Sequence, residues 1–166
     1  LPTIKYLLKN GAKVILVSHL GRPDGIEKKL SLKTVAERLS ELIKKEVYFF
    51  NLNEFINLTK LPKLTLLENI RFYPEEEKND KKFAKQLAEV ADIFVFDGFA
   101  VAHRDAASVS GVAKYLPSYA GLLLESEIVN LNQLMAKPKK PYIAVLGGAK
   151  IETKLPVLKS VLKRAD

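Results

Sequence analysis

Five arginines stand among 22 lysines, and three of them, Arg22, Arg71 and Arg104, follow apolar runs. Where lysine is the default cation, an arginine offers a planar fork that grips a carboxylate or phosphate at two points. Ser18-His19-Leu20-Gly21-Arg22-Pro23 follows Val14-Ile15-Leu16-Val17, and Glu68-Asn69-Ile70-Arg71 follows Leu64-Thr65-Leu66-Leu67. His103-Arg104 comes shortly after Ile93-Phe94-Val95-Phe96, so both histidines of the chain, His19 and His103, share these stretches. Further on, Gly147-Gly148-Ala149-Lys150 follows Tyr142-Ile143-Ala144-Val145-Leu146. Its glycines would let backbone N–H groups approach a phosphate, with Lys150 and Lys154 one helical turn apart. The chemistry common to all four stretches is anion binding. No spacing supports a Ser-His-Asp arrangement or a metal cluster, and the glycine stretch is neither a Walker loop nor a protein-kinase loop.

Each stretch also has a plainer explanation. Arg22-Pro23-Asp24-Gly25 is good turn chemistry, and Arg71 could form a surface ion pair with Glu75 or Glu76. His103-Arg104 could open a helix capped by Asp97, and Gly147-Gly148 could be a tight turn. Recurrence favours the functional reading, since three arginines fall at strand ends rather than on helix faces.

The elements that must position these groups alternate. Pro2 to Asn10 predicts a helix with Ile4, Leu7 and Leu8 on one face, followed by a strand at 13–18. Ser31 can cap a helix whose inner face is Leu32, Val35, Ala36, Leu39, Leu42 and Ile43. Val47-Tyr48-Phe49-Phe50 and Leu64-Thr65-Leu66-Leu67 are further strands, with Asn51 to Pro62 irregular between them. Asp80 caps a helix carrying Phe83, Ala84, Leu87, Ala88 and Ala91 inward, and Ile93 to Phe96 is the fourth strand. A short helical patch near Val112 to Leu116, a break at Pro117-Ser118 and a long helix from Leu122 to Met135 follow. Lys137-Pro138-Lys139-Lys140-Pro141 reads as a linker, after which Tyr142 to Leu146 starts one more β-loop-α unit. The pattern predicts a three-layer α/β/α Rossmann-like domain with a mainly parallel sheet, plus the first β-loop-α unit of a second similar domain. Ligands of such sheets sit outside the carboxyl ends of the strands, where His19, Arg22, Arg71, His103 and Arg104 collect.

With 166 residues and 48% hydrophobic content, the chain has enough material for one core and the start of a second. A net charge of +8 suggests an anionic partner without choosing among nucleic acid, an acidic surface and a phosphorylated small molecule. No apolar run approaches the roughly 20 residues of a membrane span, and the N-terminus does not read as a signal peptide. Absence of cysteine excludes disulfides and thiolate metal sites and suits the cytoplasm, the expected location.

The stretches named above, together with Ala102-His103-Arg104 and Lys114-Tyr115-Leu116-Pro117, resemble phosphoglycerate kinase in order and approximate spacing over nearly the whole chain. The resemblance implies an enzyme of glycolysis that moves a phosphoryl group reversibly between 1,3-bisphosphoglycerate and ADP, giving 3-phosphoglycerate and ATP. It implies a glycerate-binding domain over 1–120 lacking its first strand or strands, an interdomain helix over 121–136 that moves on closure, and the truncated start of a nucleotide-binding domain over 137–166. The positions it matches to substrate binding are His19, Arg22, Arg71, His103 and Arg104, with Arg22, Arg104 and Lys150 in catalytic roles. Gly147, Gly148, Ala149, Lys150 and Lys154 match the loop that binds ATP or ADP. Magnesium would be held mainly through the nucleotide and by residues outside this chain, with no metal ligand expected within it. No nucleic acid or membrane is expected as a partner, and the full-length protein is expected to be a monomer.

The family's Asp-x-Asn strand would lie upstream of Leu1 and most of its nucleotide domain downstream of Asp166, so this chain is expected to be a fragment inactive by itself. Asp97-Gly98-Phe99-Ala100 exchanges the small residues of the usual Asp-Ala-Phe-Gly, and Asp105-Ala106 replaces an alanine followed by histidine or glutamine. Asp105 is expected to compete with phosphate for Arg104, so that alanine there would tighten binding. The alternative function is a non-catalytic anion-binding remnant of the same fold. A basic nucleic-acid-binding domain fits less well, because the lysines are scattered while the arginines cluster.

Overall fold

The structure, a computed structural model, describes residues 1–136, 138–145, 155–162 and 165–166. They form two units, Leu1–Leu124 and Glu125–Asp166. In the first, α1 (Pro2–Lys9) leads to β1 (Val14–Leu16), α2 (Lys33–Ile43), β2 (Tyr48–Phe50), α3 (Leu52–Ile56) and β3 (Leu64–Leu67). Then come α4 (Pro74–Glu77), α5 (Lys81–Ala88), β4 (Phe94–Phe96), β5 (Ser118–Ala120) and the start of α6 (Leu122–Ala136).

β3 is the centre of the first unit, fully buried and paired in parallel with β1 on one edge and β2 on the other. Its alternating side chains divide the core between the two sheet faces. Leu64 and Leu66 meet Val14, Leu32, Ala36 and Ile43, with Ile4, Leu7 and Leu8 of α1 packed alongside. Leu67 points to the other face, where Leu52, Phe55, Phe83, Leu87, Ala107 and Val112 close over it. Each large apolar side chain buried this way contributes about 2 kcal/mol. Helical layers therefore cover both faces, and the strand pairs among the described residues are parallel, in keeping with the mainly parallel sheet expected from the alternating pattern.

The sheet is divided. β4 pairs with β5 in a separate two-stranded ladder, so among the described residues β1 and β4 each have a partner on one edge only. Both line a cavity of about 990 Å3.

Three local expectations change. The stretch after β2 is ordered as α3 by a capping box, in which Asn51 accepts the Glu54 N–H while Glu54 accepts that of Asn51. Ser118, expected at a break, begins β5. Val35 and Leu42, assigned to the inner face of α2, are exposed, because contact with the sheet narrows to Leu32, Ala36, Leu39 and Ile43.

In the second unit, α7 spans Leu155–Val161. Asp166 accepts hydrogen bonds from the Lys140 ammonium and, at 2.8 Å, from the Tyr142 N–H. Residues 142–145 take no strand structure, and Leu146 lies outside the described residues, as do Gly147, Gly148, Ala149, Lys150 and Lys154. No helix among the described residues is long and apolar enough to cross a membrane.

Candidate functional site

Two polar residues directly after the buried strand β3 assemble the site. Asn69 is fully buried, and its Nδ2 donates to the carbonyls of Leu20 at 2.8 Å and Leu30 at 3.0 Å. Its Oδ1 accepts the Arg71 N–H at 3.2 Å. Glu68 accepts from the Ser31 hydroxyl at 2.6 Å, the Leu32 N–H at 2.8 Å and the Asn69 N–H at 2.7 Å. A last link runs from the Ile70 N–H to the Ser18 carbonyl at 3.1 Å. The first anion stretch is thereby fastened to the second, and buried polar groups with partners on this scale define one geometry.

Gly21 shows why the first stretch needs glycine. Its φ of +66° is left-handed, and a Cβ would stand 2.9 Å from the Leu30 side chain. In that conformation its carbonyl accepts from Arg71 Nη1 at 2.7 Å. Arg71 Nε lies 3.6 Å from Glu77 Oε1, so the acidic partner is Glu77 rather than Glu75 or Glu76. Arg71 sits in the turn Ile70–Phe72, and 9% of its side chain is exposed.

His19, Arg71, His103 and Arg104 all border the cavity beside β1 and β4. Burial, followed by the charges of Arg71 and Arg104, holds the His19 imidazole below its ordinary value, while Glu77 acts in the opposite direction. A neutral imidazole can both donate and accept, and burial with the Arg71 and Arg104 charges favours that form of His19. Burial and then Arg104 also lower the Arg71 guanidinium, with Glu77 opposing. Arg104 is half-buried, and its Nε finds no hydrogen-bond partner among the described residues. An unpaired buried N–H near a second guanidinium has the chemistry to receive an oxyanion.

Arg22 is exposed and stands outside the cavity wall, close enough to act on Arg71 through its charge. The nucleotide loop lies outside the described residues, so the structure brings together four of the positions expected from the sequence: His19, Arg71, His103 and Arg104.

Two acidic residues have duties the sequence reading did not give them. Asp105 accepts at Oδ1 from Asn79 Nδ2 at 2.5 Å and from the Ser110 hydroxyl, and among the described residues it forms no ion pair with Arg104. Asp97 caps α6 instead of a helix at His103: Oδ1 accepts the N–H groups of Leu123 at 2.9 Å and Leu124 at 3.1 Å, and Oδ2 accepts from Thr3 at 2.6 Å. Gly121 makes room for this cap, since a Cβ there would lie 2.3 Å from Asp97 Oδ1.

A family model described as phosphoglycerate kinase matches residues 1–166. A phosphoglycerate kinase of Dictyoglomus turgidum is 50% identical over the whole chain, and the cytosolic phosphoglycerate kinase 3 of Arabidopsis thaliana is 51% identical over 99% of it. The chain spans 43% of the length of each of these relatives. Among solved structures, phosphoglycerate kinase from Coxiella burnetii matches with a TM-score of 0.87 and 41% identity, covering 99% of this chain and 43% of that one. The enzyme from Pyrococcus horikoshii also gives a TM-score of 0.87, at 38% identity over the whole chain and 44% of its own.

Proposed function

The chain belongs to the phosphoglycerate kinase family, and we propose that it supplies the glycerate-binding part of an enzyme that moves a phosphoryl group between 1,3-bisphosphoglycerate and ADP. The observation carrying this reading is the convergence of Arg71 and Arg104 on one cavity, with the Arg104 Nε buried and without a partner among the described residues. Arg71, Arg104, His19 and His103 bind the phosphate and carboxylate of 3-phosphoglycerate, and Arg22 adds charge at the rim. Phosphoryl transfer asks the protein mainly for positioning and neutralisation of charge, which suits these residue types.

Residues 1–120 form the glycerate domain, 121–136 the interdomain helix and 137–166 the beginning of the nucleotide domain. Gly147, Gly148, Ala149, Lys150 and Lys154 hold the phosphates of magnesium-bound ATP or ADP, and Lys150 faces the phosphoryl group being transferred. The cytosol is the place of action, in keeping with the cytosolic relatives from Arabidopsis and wheat.

Calorimetric titration of the 166-residue chain with 3-phosphoglycerate tests the reading. Saturable binding, displaced by inorganic phosphate, is expected, with no turnover in a coupled ATP assay of this chain alone. Absence of binding, or binding of a DNA duplex in its place with a steep salt dependence, would overturn it.

A further inference from the structure

Glu76 is the only buried charged side chain among the described residues, at 4% exposure. It sits in an acidic run where a solvated surface is the ordinary expectation, and anion binding gives a carboxylate no direct role. Both of its oxygens are engaged with one residue: Oε1 accepts the Ser108 hydroxyl at 2.6 Å and Oε2 accepts the Ser108 N–H at 2.9 Å. Burial raises its carboxyl above the usual range, while the two Ser108 bonds and then Arg71 pull the other way.

Its position in the chain gives this contact meaning. Glu76 lies in α4, just after the Arg71 turn, and Ser108 lies in the π-helical turn Ala107–Gly111, just after Arg104. The contact joins the two segments that carry the arginines. Two guanidiniums converging on one cavity repel each other before an anion arrives, so something must hold their segments together in the empty state.

We propose that Glu76 is the positioning residue of the Arg71–Arg104 pair: by gripping Ser108 through both oxygens it fixes the spacing of the two guanidiniums. The inference rests on the reading of this cavity as the anion site. Both Glu76 oxygens are taken up by Ser108, and that grip is geometric. Glutamine could reproduce it, with Oε1 accepting the Ser108 N–H and Nε2 donating to the hydroxyl. Alanine could not.

The test uses the 166-residue chain carrying Glu76→Ala, Glu76→Gln or Ser108→Ala. Two readouts need no ligand, the exchange rate of the Ser108 amide and the resonance of Arg104 Nε, and a third is calorimetry with 3-phosphoglycerate. In Glu76→Ala the Ser108 amide should lose protection, the Arg104 resonance should move, and binding should weaken at least about tenfold, as expected for buried donors left unmet. Glu76→Gln should keep both resonances in place and bind as tightly as the parent or more tightly, because a negative charge has left the cavity. Ser108→Ala, losing one of the two bonds, should fall between them.

Three results would overturn the proposal: ligand-free resonances that ignore Glu76→Ala, tighter binding in both Glu76 variants, which marks a bystander charge, or equal loss in both, which marks a need for charge alone. If the parent chain binds no 3-phosphoglycerate, the anion reading fails, and the ligand-free readouts still decide whether Glu76 sets the arginines. If Glu76→Ala does not fold, Glu76→Gln and Ser108→Ala decide in its place.

Discussion

Arg71 and Arg104 border the same cavity under opposite conditions. Arg71 is fastened: its Nη1 donates to the Gly21 carbonyl, its Nε lies near Glu77, and its backbone N–H is received by Asn69. Arg104 keeps a buried Nε with no partner among the described residues. A guanidinium whose donors are met contributes mainly to the shape of the site. One whose donor is unmet gains when an acceptor enters, so its worth appears in binding rather than in folding. The contrast gives Arg71 a scaffold role beside its part in binding, and Arg104 a role in binding alone.

The largest effect should come from the residue that makes Arg71 part of the scaffold. Asn69→Ala strips three hydrogen bonds from a fully buried position and should lower stability by about 3 kcal/mol in urea denaturation. Next, Arg71→Ala should lower both stability, by about 2 kcal/mol, and affinity for 3-phosphoglycerate. Arg104→Ala should weaken binding about 30-fold while the urea midpoint stays put. Equal loss of stability in the two arginine variants would erase the distinction between them.

Asp105→Ala sharpens the comparison from another side chain on the cavity wall. Its carboxylate serves Asn79 and Ser110, so removal should cost about 1 kcal/mol of stability and leave binding unchanged. Tighter binding would mean that the carboxylate reaches Arg104 in solution.

The smallest effect concerns pH. His19 has its imidazole lowered in the folded state by burial, then by Arg71 and Arg104, so the unfolded chain takes up its proton more readily. This contribution to stability is complete above about pH 6.5 and is lost as pH falls through the lowered folded value. His19→Gln should flatten that slope. Occupation of the cavity by a phosphate should move the His19 midpoint upward in an NMR titration, and an unmoved midpoint would separate His19 from the anion.

Much of this was legible because hydrophobic runs announce buried strands and whatever follows them is held at the sheet edge. By that rule His19, Arg71 and Arg104 are expected near one another, and they border one cavity. Asn51 and Glu54 carried a readable capping signal too, an amide followed three residues later by a glutamate, but the apolar positions between them were too few to reveal a helix of only five residues. Glu68 and Asn69 stand immediately after a buried strand without a turn residue between. That placement could have marked them as internal polar groups, although their partners near Leu20, Leu30 and Ser31 have no trace in local sequence. Glu76 had no signal at all. Its neighbours Glu75 and Glu77 are exposed, and only the fold shows that the middle acid of the three turns inward.

The reach of Asn69 has a consequence for how fast the chain acquires this site. Its side-chain bonds close loops of 49 and 39 residues, and such contacts form only after the intervening chain has been drawn together. The loops around Arg71 should therefore be late to form, with little of their native structure present at the folding barrier. Removing the Asn69 amide should hasten unfolding and leave the folding rate nearly unchanged. The anion site would then be the last part of the first unit to appear and the first to open.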